Sequence, residues 1–124
     1  MTGEELVERA EAAAANAYAP YSGYRVGASL LLRGGGVVDG VNVENAAYPL
    51  GVCAERTAIA KAASDGVRPG DVEAIGITAS PCGGCRQWLH EWRIERVYFR
   101  RGDGSVAEYR PDELLPDTWD LPER

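Results

Sequence analysis

A chain of 124 residues has room for one hydrophobic core and not for two, so residues 1–124 read as a single domain. With 45% apolar and 26% charged residues it matches neither a disordered nor a fibrous composition. Thirteen Lys and Arg against nineteen Asp and Glu leave a net charge of -6, which repels a phosphate backbone unless the cations cluster on one face. The one basic run, Arg93, Arg96, Arg100 and Arg101, reads as the solvated edge of a helix and a strand, so no nucleic-acid partner is expected.

Along the chain, Leu6, Val7, Ala10, Ala13, Ala14 and Ala17 recur at helical spacing with Glu4, Glu5, Glu8 and Glu11 between them. This predicts an amphipathic first helix, ended by Pro20, Ser22 and Gly23. The same acidic start lacks the basic and apolar blocks of a secretory signal, and no stretch of roughly 18 apolar residues offers a membrane span. The expected location is cytoplasmic, with no membrane partner. Residues 25–32 and 37–43 are rich in branched apolar side chains around Gly34-Gly35-Gly36, which predicts a hairpin with a glycine turn. A Pro- and Gly-containing connection then leads to a second helix that starts at or near Cys53 and stops by Gly66. Residues 72–78 read as a third strand, and a third helix starts near Pro81-Cys82-Gly83-Gly84-Cys85. Two short strands, 96–100 and 105–109, flank the turn Gly102-Asp103-Gly104, and the remainder reads as a tail. This alternation predicts an α/β fold, a three-layer α/β/α sandwich with a mixed five-stranded sheet.

Three cysteines in a reducing compartment fit a disulfide framework poorly, and their odd count points to metal binding or catalysis. Cys82 and Cys85 stand one helical turn apart, a separation that lets two thiols reach one tetrahedral metal. Redox motifs share this spacing, but Cys53-Ala54-Glu55 adds a third thiol and a carboxylate two positions beyond it. Three protein ligands leave the fourth tetrahedral position open, which is the arrangement of catalytic zinc; a structural site would call for a fourth ligand. The single histidine, His90, reads as a helix residue outside the site. Helix N-termini at both segments favour thiolate over thiol. Arg56 and Arg86 follow the ligand segments closely and are expected to donate to the cysteine sulfurs, drawing charge from an electron-rich site.

With these motifs the chain resembles the small, homotetrameric cytidine deaminases. The likeness runs in order through Tyr18-Ala19-Pro20-Tyr21-Ser22, Arg25-Val26-Gly27-Ala28, residues 40–46 (Gly-Val-Asn-Val-Glu-Asn-Ala), residues 53–58 (Cys-Ala-Glu-Arg-Thr-Ala), residues 81–87 (Pro-Cys-Gly-Gly-Cys-Arg-Gln) and Glu113-Leu114-Leu115-Pro116. Three cysteines on zinc with a non-ligand glutamate form a known signature of zinc deaminases, applied here to this chain. The resemblance implies one Zn²⁺ per chain on Cys53, Cys82 and Cys85, with Glu55 as the catalytic proton carrier. It also implies Asn42 and Glu44 at the ribose 3′-hydroxyl and the Ala54 backbone N–H at the pyrimidine. Cytidine, 2′-deoxycytidine or both would be hydrolysed to the uracil nucleoside and ammonia, a reaction of pyrimidine salvage. Tyr24 and Trp119 stand where the family usually carries base-stacking phenylalanines, Trp119 being offered by a neighbouring subunit of a homotetramer. Only Ala79 and Ser80 separate Thr78 from Pro81, where relatives usually have a longer loop, which bears on the pocket rim and subunit contacts. Nothing in the sequence reads a 2′-hydroxyl, so it does not rank ribose over deoxyribose. Two alternatives remain: a deaminase of another cytosine nucleoside such as blasticidin S, and a non-catalytic zinc-stabilised module. Asn42-Val43-Glu44-Asn45 favours the plain nucleoside over the first, and Glu55 has no purpose in the second.

Overall fold

A computed structural model describes residues 1–122. It contains a five-stranded sheet in the order β2-β1-β3-β4-β5: β1 is Gly27–Leu32, β2 Val37–Val41, β3 Val72–Ile77, β4 Arg96–Arg100 and β5 Val106–Tyr109. The pairing of β3 with β4 is parallel and the other three are antiparallel, so the sheet is mixed, as the alternation of elements predicts. Among the described residues the α-helices are α1 (Gly3–Ala13), α2 (Ala54–Ser64), α3 (Gly83–Glu91) and α4 (Pro111–Leu114).

Helix α1 starts at a capping box in which the Thr2 hydroxyl accepts from the Glu5 backbone N–H at 3.1 Å and the Glu5 carboxylate accepts from the Thr2 N–H at 2.9 Å. It buries Leu6, Val7 and Ala10 against one face of the sheet. Close approach is possible because Gly76 carries no side chain; a Cβ there would lie 2.7–2.8 Å from the backbone of Leu6 and Val7. Helices α2 and α3 cover the opposite face, where Ala58, Ile59, Ala62 and Leu89 join Leu30, Ile75, Ile77 and Val97 in the main core. The period-2 alternation of β1 and β3 separates the two faces: Leu30, Ile75 and Ile77 point to the main core while Gly76 meets α1.

Several boundaries differ from the sequence reading. The first helix ends at Ala13 and passes into a 3₁₀ turn, Ala14–Asn16, that stays close on the sheet: a Cβ at Gly27 of β1 would lie 2.9 Å from the Ala14 nitrogen. Strands β1 and β2 are shorter than read: Tyr24 and Val26 bond the Asn42 side chain, and the backbone of residues 42–44 turns to pair with Tyr18 and Val52. The stretch read as a plain tail contains α4, started by Pro111 at its first position and by the Glu113 carboxylate, which accepts from the Arg110 N–H at 2.8 Å. The glycine turn of the hairpin lies at Gly34–Gly36, with Gly35 at φ 96°.

Candidate active site and metal centre

Two chain crossings meet at the C-terminal end of β3, the end at which open α/β sheets bind ligands. Residues 78–82 carry the chain from β3 into α3, and residues 42–53 carry it from β2 into α2. Cys53 and Cys82 stand at the N-cap positions of α2 and α3 in extended backbone conformation, and neither side chain caps its own helix. Cys85 is buried in the first turn of α3. The three Sγ atoms lie within 4.8 Å of one another, with Cys53 and Cys82 at 4.0 Å, and all three thiols are free.

The electrostatics of this cluster are those of a site that wants a cation. Burial pushes the Cys85 thiol well above its ordinary value, helped by the nearby Glu55 charge. Burial also raises Cys53. Cys82 is held below its ordinary value: hydrogen bonds from Cys85 and Cys53 outweigh the burial that opposes them. Arg56 donates from Nη2 to the Cys53 sulfur at 3.5 Å, and its guanidinium is held in the charged form chiefly by its hydrogen bond to Cys85. Its Nε is buried without a partner. One arginine against three thiols and a carboxylate leaves the cluster short of positive charge. Three bonds of about 2.3 Å at a tetrahedral centre place sulfurs about 3.8 Å apart, close to the 4.0 Å observed between Cys53 and Cys82. An all-thiol donor set is soft and matches zinc, not magnesium or calcium. The residues present therefore fit a zinc ion.

Glu55, in the first turn of α2, is 3% exposed and is one of two buried polar side chains among the described residues, with Ser29. Burial is the main cause that raises its carboxyl above the usual range, offset in part by its own backbone N–H and by the Cys85 thiol. It lines a cavity of about 380 Å³ together with Cys53, Ala54 and Cys82. Asn42 and Glu44 line the same cavity, as do Tyr24 and, from the short connection after β3, Ala79 and Ser80. Among the described residues no lysine, arginine or histidine lines it.

Asn42 and Glu44 are both tied to the segment that precedes β1. Asn42 Oδ1 accepts from the Val26 N–H at 2.8 Å, and its Nδ2 donates to the Tyr24 carbonyl at 2.8 Å. Glu44 Oε1 accepts the backbone N–H groups of Tyr21 and Ser22 at 3.0 and 3.1 Å, while Oε2 accepts from the Ser22 hydroxyl. These bonds, led by that of the Ser22 hydroxyl, hold the Glu44 carboxyl below the usual carboxylate range.

One expectation, that of Arg86, meets a different arrangement. Arg86 does not donate to a sulfur: its guanidinium reaches the carbonyls of Pro81 at 2.9 Å and Leu114 at 2.8 Å and the Ser80 hydroxyl at 3.1 Å. From the first turn of α3 it turns back to the carbonyls that Pro81 and α4 leave unpaired, so it holds the ligand segment in place. Trp119 is 65% exposed and does not line its own chain's cavity; its carbonyl accepts from Gln87 Nε2 at 3.1 Å. His90 sits away from the thiols, with Nε2 at 2.9 Å from the Asp120 carboxylate. The sequence reading gave Ser22 and Ser80 no role; that Ser22 lies inside a motif shared with the family was the available signal.

Comparison with known proteins agrees with this geometry. Residues 1–101 match the family model described as the cytidine and deoxycytidylate deaminase zinc-binding region. The chain is 44% identical to a cytidine deaminase of Halalkalibacterium halodurans, over 94% of this chain and 92% of that protein. It is 41% identical to a cytidine deaminase of Sporosarcina psychrophila, over 94% and 90%. The crystal structure of cytidine deaminase from Burkholderia pseudomallei superposes with a TM-score of 0.89 at 42% identity, covering 96% of this chain and all of that one. A fold shared at that level, a family model across most of the chain and three thiols gathered in one cluster lead to one assignment: the chain belongs to the cytidine and deoxycytidylate deaminase family.

Proposed function

We infer that the protein is a zinc-dependent hydrolase that deaminates a free cytosine nucleoside, cytidine or 2′-deoxycytidine, to the uracil nucleoside and ammonia. The observation that carries this reading is a buried carboxylate, Glu55, beside a three-thiol cluster at the wall of a cavity of nucleoside size. Cys53, Cys82 and Cys85 would hold the metal, whose contribution is Lewis acidity that brings the ionisation of water close to neutral pH. Glu55 takes a proton from the attacking water and gives it to N3 as the oxygen bonds to C4. It then moves the second proton from that oxygen to the exocyclic amine, the C4–N4 bond breaks, and ammonia leaves. Burial suits one carboxylate to each stage, because a raised pKa brings it nearer the groups it exchanges protons with and bulk water is excluded. The Ala54 N–H and the side chains of Asn42 and Glu44 orient the base and the sugar, and Tyr24 stacks on the ring. Arg56 donates to Cys53 and lies beside Cys85, and so draws charge from the ligand set.

A nucleoside is favoured over a nucleotide by the lining itself. Two carboxylates and no cationic side chain among the described residues make the cavity hostile to a phosphate. Ammonia release from cytidine, 2′-deoxycytidine, cytosine and cytidine 5′-monophosphate tests the reading. Both nucleosides should be turned over, with the free base and the monophosphate poor by comparison; turnover of the monophosphate alone would overturn it.

The proposed assembly is a homotetramer whose sites are completed across subunits, with Trp119 reaching a neighbour's cavity. It is supported by Trp119 lying exposed outside its own cavity and by the exposed Tyr18, Tyr21, Tyr48 and Leu50 near the site. Three thiols that must stay reduced to bind metal support a cytoplasmic role in pyrimidine salvage. No helix among the described residues is long and apolar enough to cross a membrane.

A further inference from the structure

The Ser22 hydroxyl lies between two parts of the cavity edge. It donates its one proton to Glu44 Oε2 and accepts the Tyr24 backbone N–H at 2.9 Å. The backbone N–H groups of Tyr21 and Ser22 meet the other carboxylate oxygen at 3.0 and 3.1 Å. Gly23, at φ 71°, supplies the left-handed turn that lets residues 21, 22 and 24 all face Glu44 and its bound hydroxyl. Asn42 closes the unit from the other side by holding the Tyr24 carbonyl and the Val26 N–H. Residues 21–26 and the two side chains proposed for sugar recognition are therefore one hydrogen-bonded block.

We propose that Ser22 is a positioning residue for nucleoside recognition: by holding Glu44 Oε2 it fixes the carboxylate so that its remaining lone pair accepts the sugar 3′-hydroxyl. This role rests on the reading of Asn42 and Glu44 as the sugar edge. Three donors already satisfy Glu44, one on Oε2 and two on Oε1, which leaves the carboxylate ionised and able only to accept. Its fourth partner must be a donor, which a hydroxyl is and an ether or a fluorine is not. Without the serine hydroxyl the carboxylate keeps its two backbone donors but can rotate Oε2 away, and the polarised chain from Tyr24 N–H through Ser22 to Glu44 is broken. Ser22 touches no reacting atom in this arrangement, and the contacts among Glu55 and the thiols do not involve it. Its loss should weaken ground state and transition state alike.

The test compares zinc-loaded full-length parent, Ser22→Ala and Ser22→Thr on cytidine and 3′-deoxycytidine. The parent should favour cytidine in kcat/KM. Ser22→Ala should retain its zinc and its melting temperature, raise KM for cytidine about tenfold with kcat nearly unchanged, and lose most of the preference over 3′-deoxycytidine, as expected for one charge-assisted contact. Ser22→Thr, which keeps the hydroxyl, should restore the preference. A parent that discriminates while Ser22→Ala discriminates equally well overturns the role of Ser22 and leaves the sugar edge intact. A parent indifferent to the 3′-hydroxyl overturns the sugar edge and the role of Ser22 together. Loss of zinc or of kcat in Ser22→Ala, unrestored by threonine, makes the residue scaffold and also overturns the proposal.

Discussion

Glu55 follows Cys53 by two positions, yet the two side chains meet different conditions: the thiol sits at a helix cap while the carboxylate is 3% exposed inside the first turn of α2. Burying a carboxylate at that depth costs free energy that a structural site has no reason to bear. Replacing it separates proton transfer from scaffolding. Glu55→Gln keeps the shape but can neither take nor deliver a proton. With general acid and base effects of about 10² to 10⁴ each, we expect zinc and fold retained and kcat lowered at least about 10³-fold. Activity within about tenfold of the parent, measured by ammonia release on a zinc-replete sample, would exclude Glu55 as the proton carrier. Cys82→Ala acts on the metal instead. The parent should carry about one zinc per chain by elemental analysis, and the variant should lose occupancy, stability and turnover together.

At the scale of elements, the position of α2 on the sheet decides whether Cys53 and Glu55 reach the thiols of α3. The helix lies close on β2 because residue 40 is glycine. A Cβ there would stand 2.4 Å from the Ala58 nitrogen and 2.6 Å from the Ala54 carbonyl oxygen, both backbone atoms that cannot rotate aside. Gly40→Ala should therefore lift the N-terminal half of α2, destabilise the fold by about 1–3 kcal/mol and weaken zinc binding. Urea unfolding with zinc titration measures both, and a variant with parental midpoint and affinity would show that the helix can adjust. Arg86 works at the same scale from the other helix, since its contacts to Pro81, Ser80 and Leu114 brace the segment that presents Cys82.

At the scale of the whole molecule, the proposed assembly accounts for side chains the single chain leaves exposed. Tyr48 is 76% and Leu50 68% exposed, and Trp119 stands outside its own cavity. A tetramer that shares sites should be visible by light scattering at assay concentration, and Trp119→Ala should raise KM without loss of zinc. A monomer that is fully active at that concentration would contradict the shared site.

The sequence by itself determined the chemistry and the order of elements. Short-range spacing sets Cys82 and Cys85 one turn apart and places Glu55 two residues beyond Cys53, and apolar periodicity with glycine turns marks the five strands and the first three helices. These features depend on neighbours within a few residues. Only the tertiary structure decided what depends on distant partners: the gathering of Cys53 with the other two thiols, the burial of Glu55, and the end of α1 at Ala13. Arg86 and Ser22 make the same point from opposite sides. Proximity to Cys85 in sequence suggested that Arg86 would serve the sulfurs, yet three carbonyl and hydroxyl oxygens compete for its guanidinium and win. Ser22 reads in sequence as a turn residue, and its partner is Glu44, 22 positions away. A hydrogen bond across that separation has no local signature, because it exists only once β1 and β2 have paired and brought residues 21–26 beside residues 42–44.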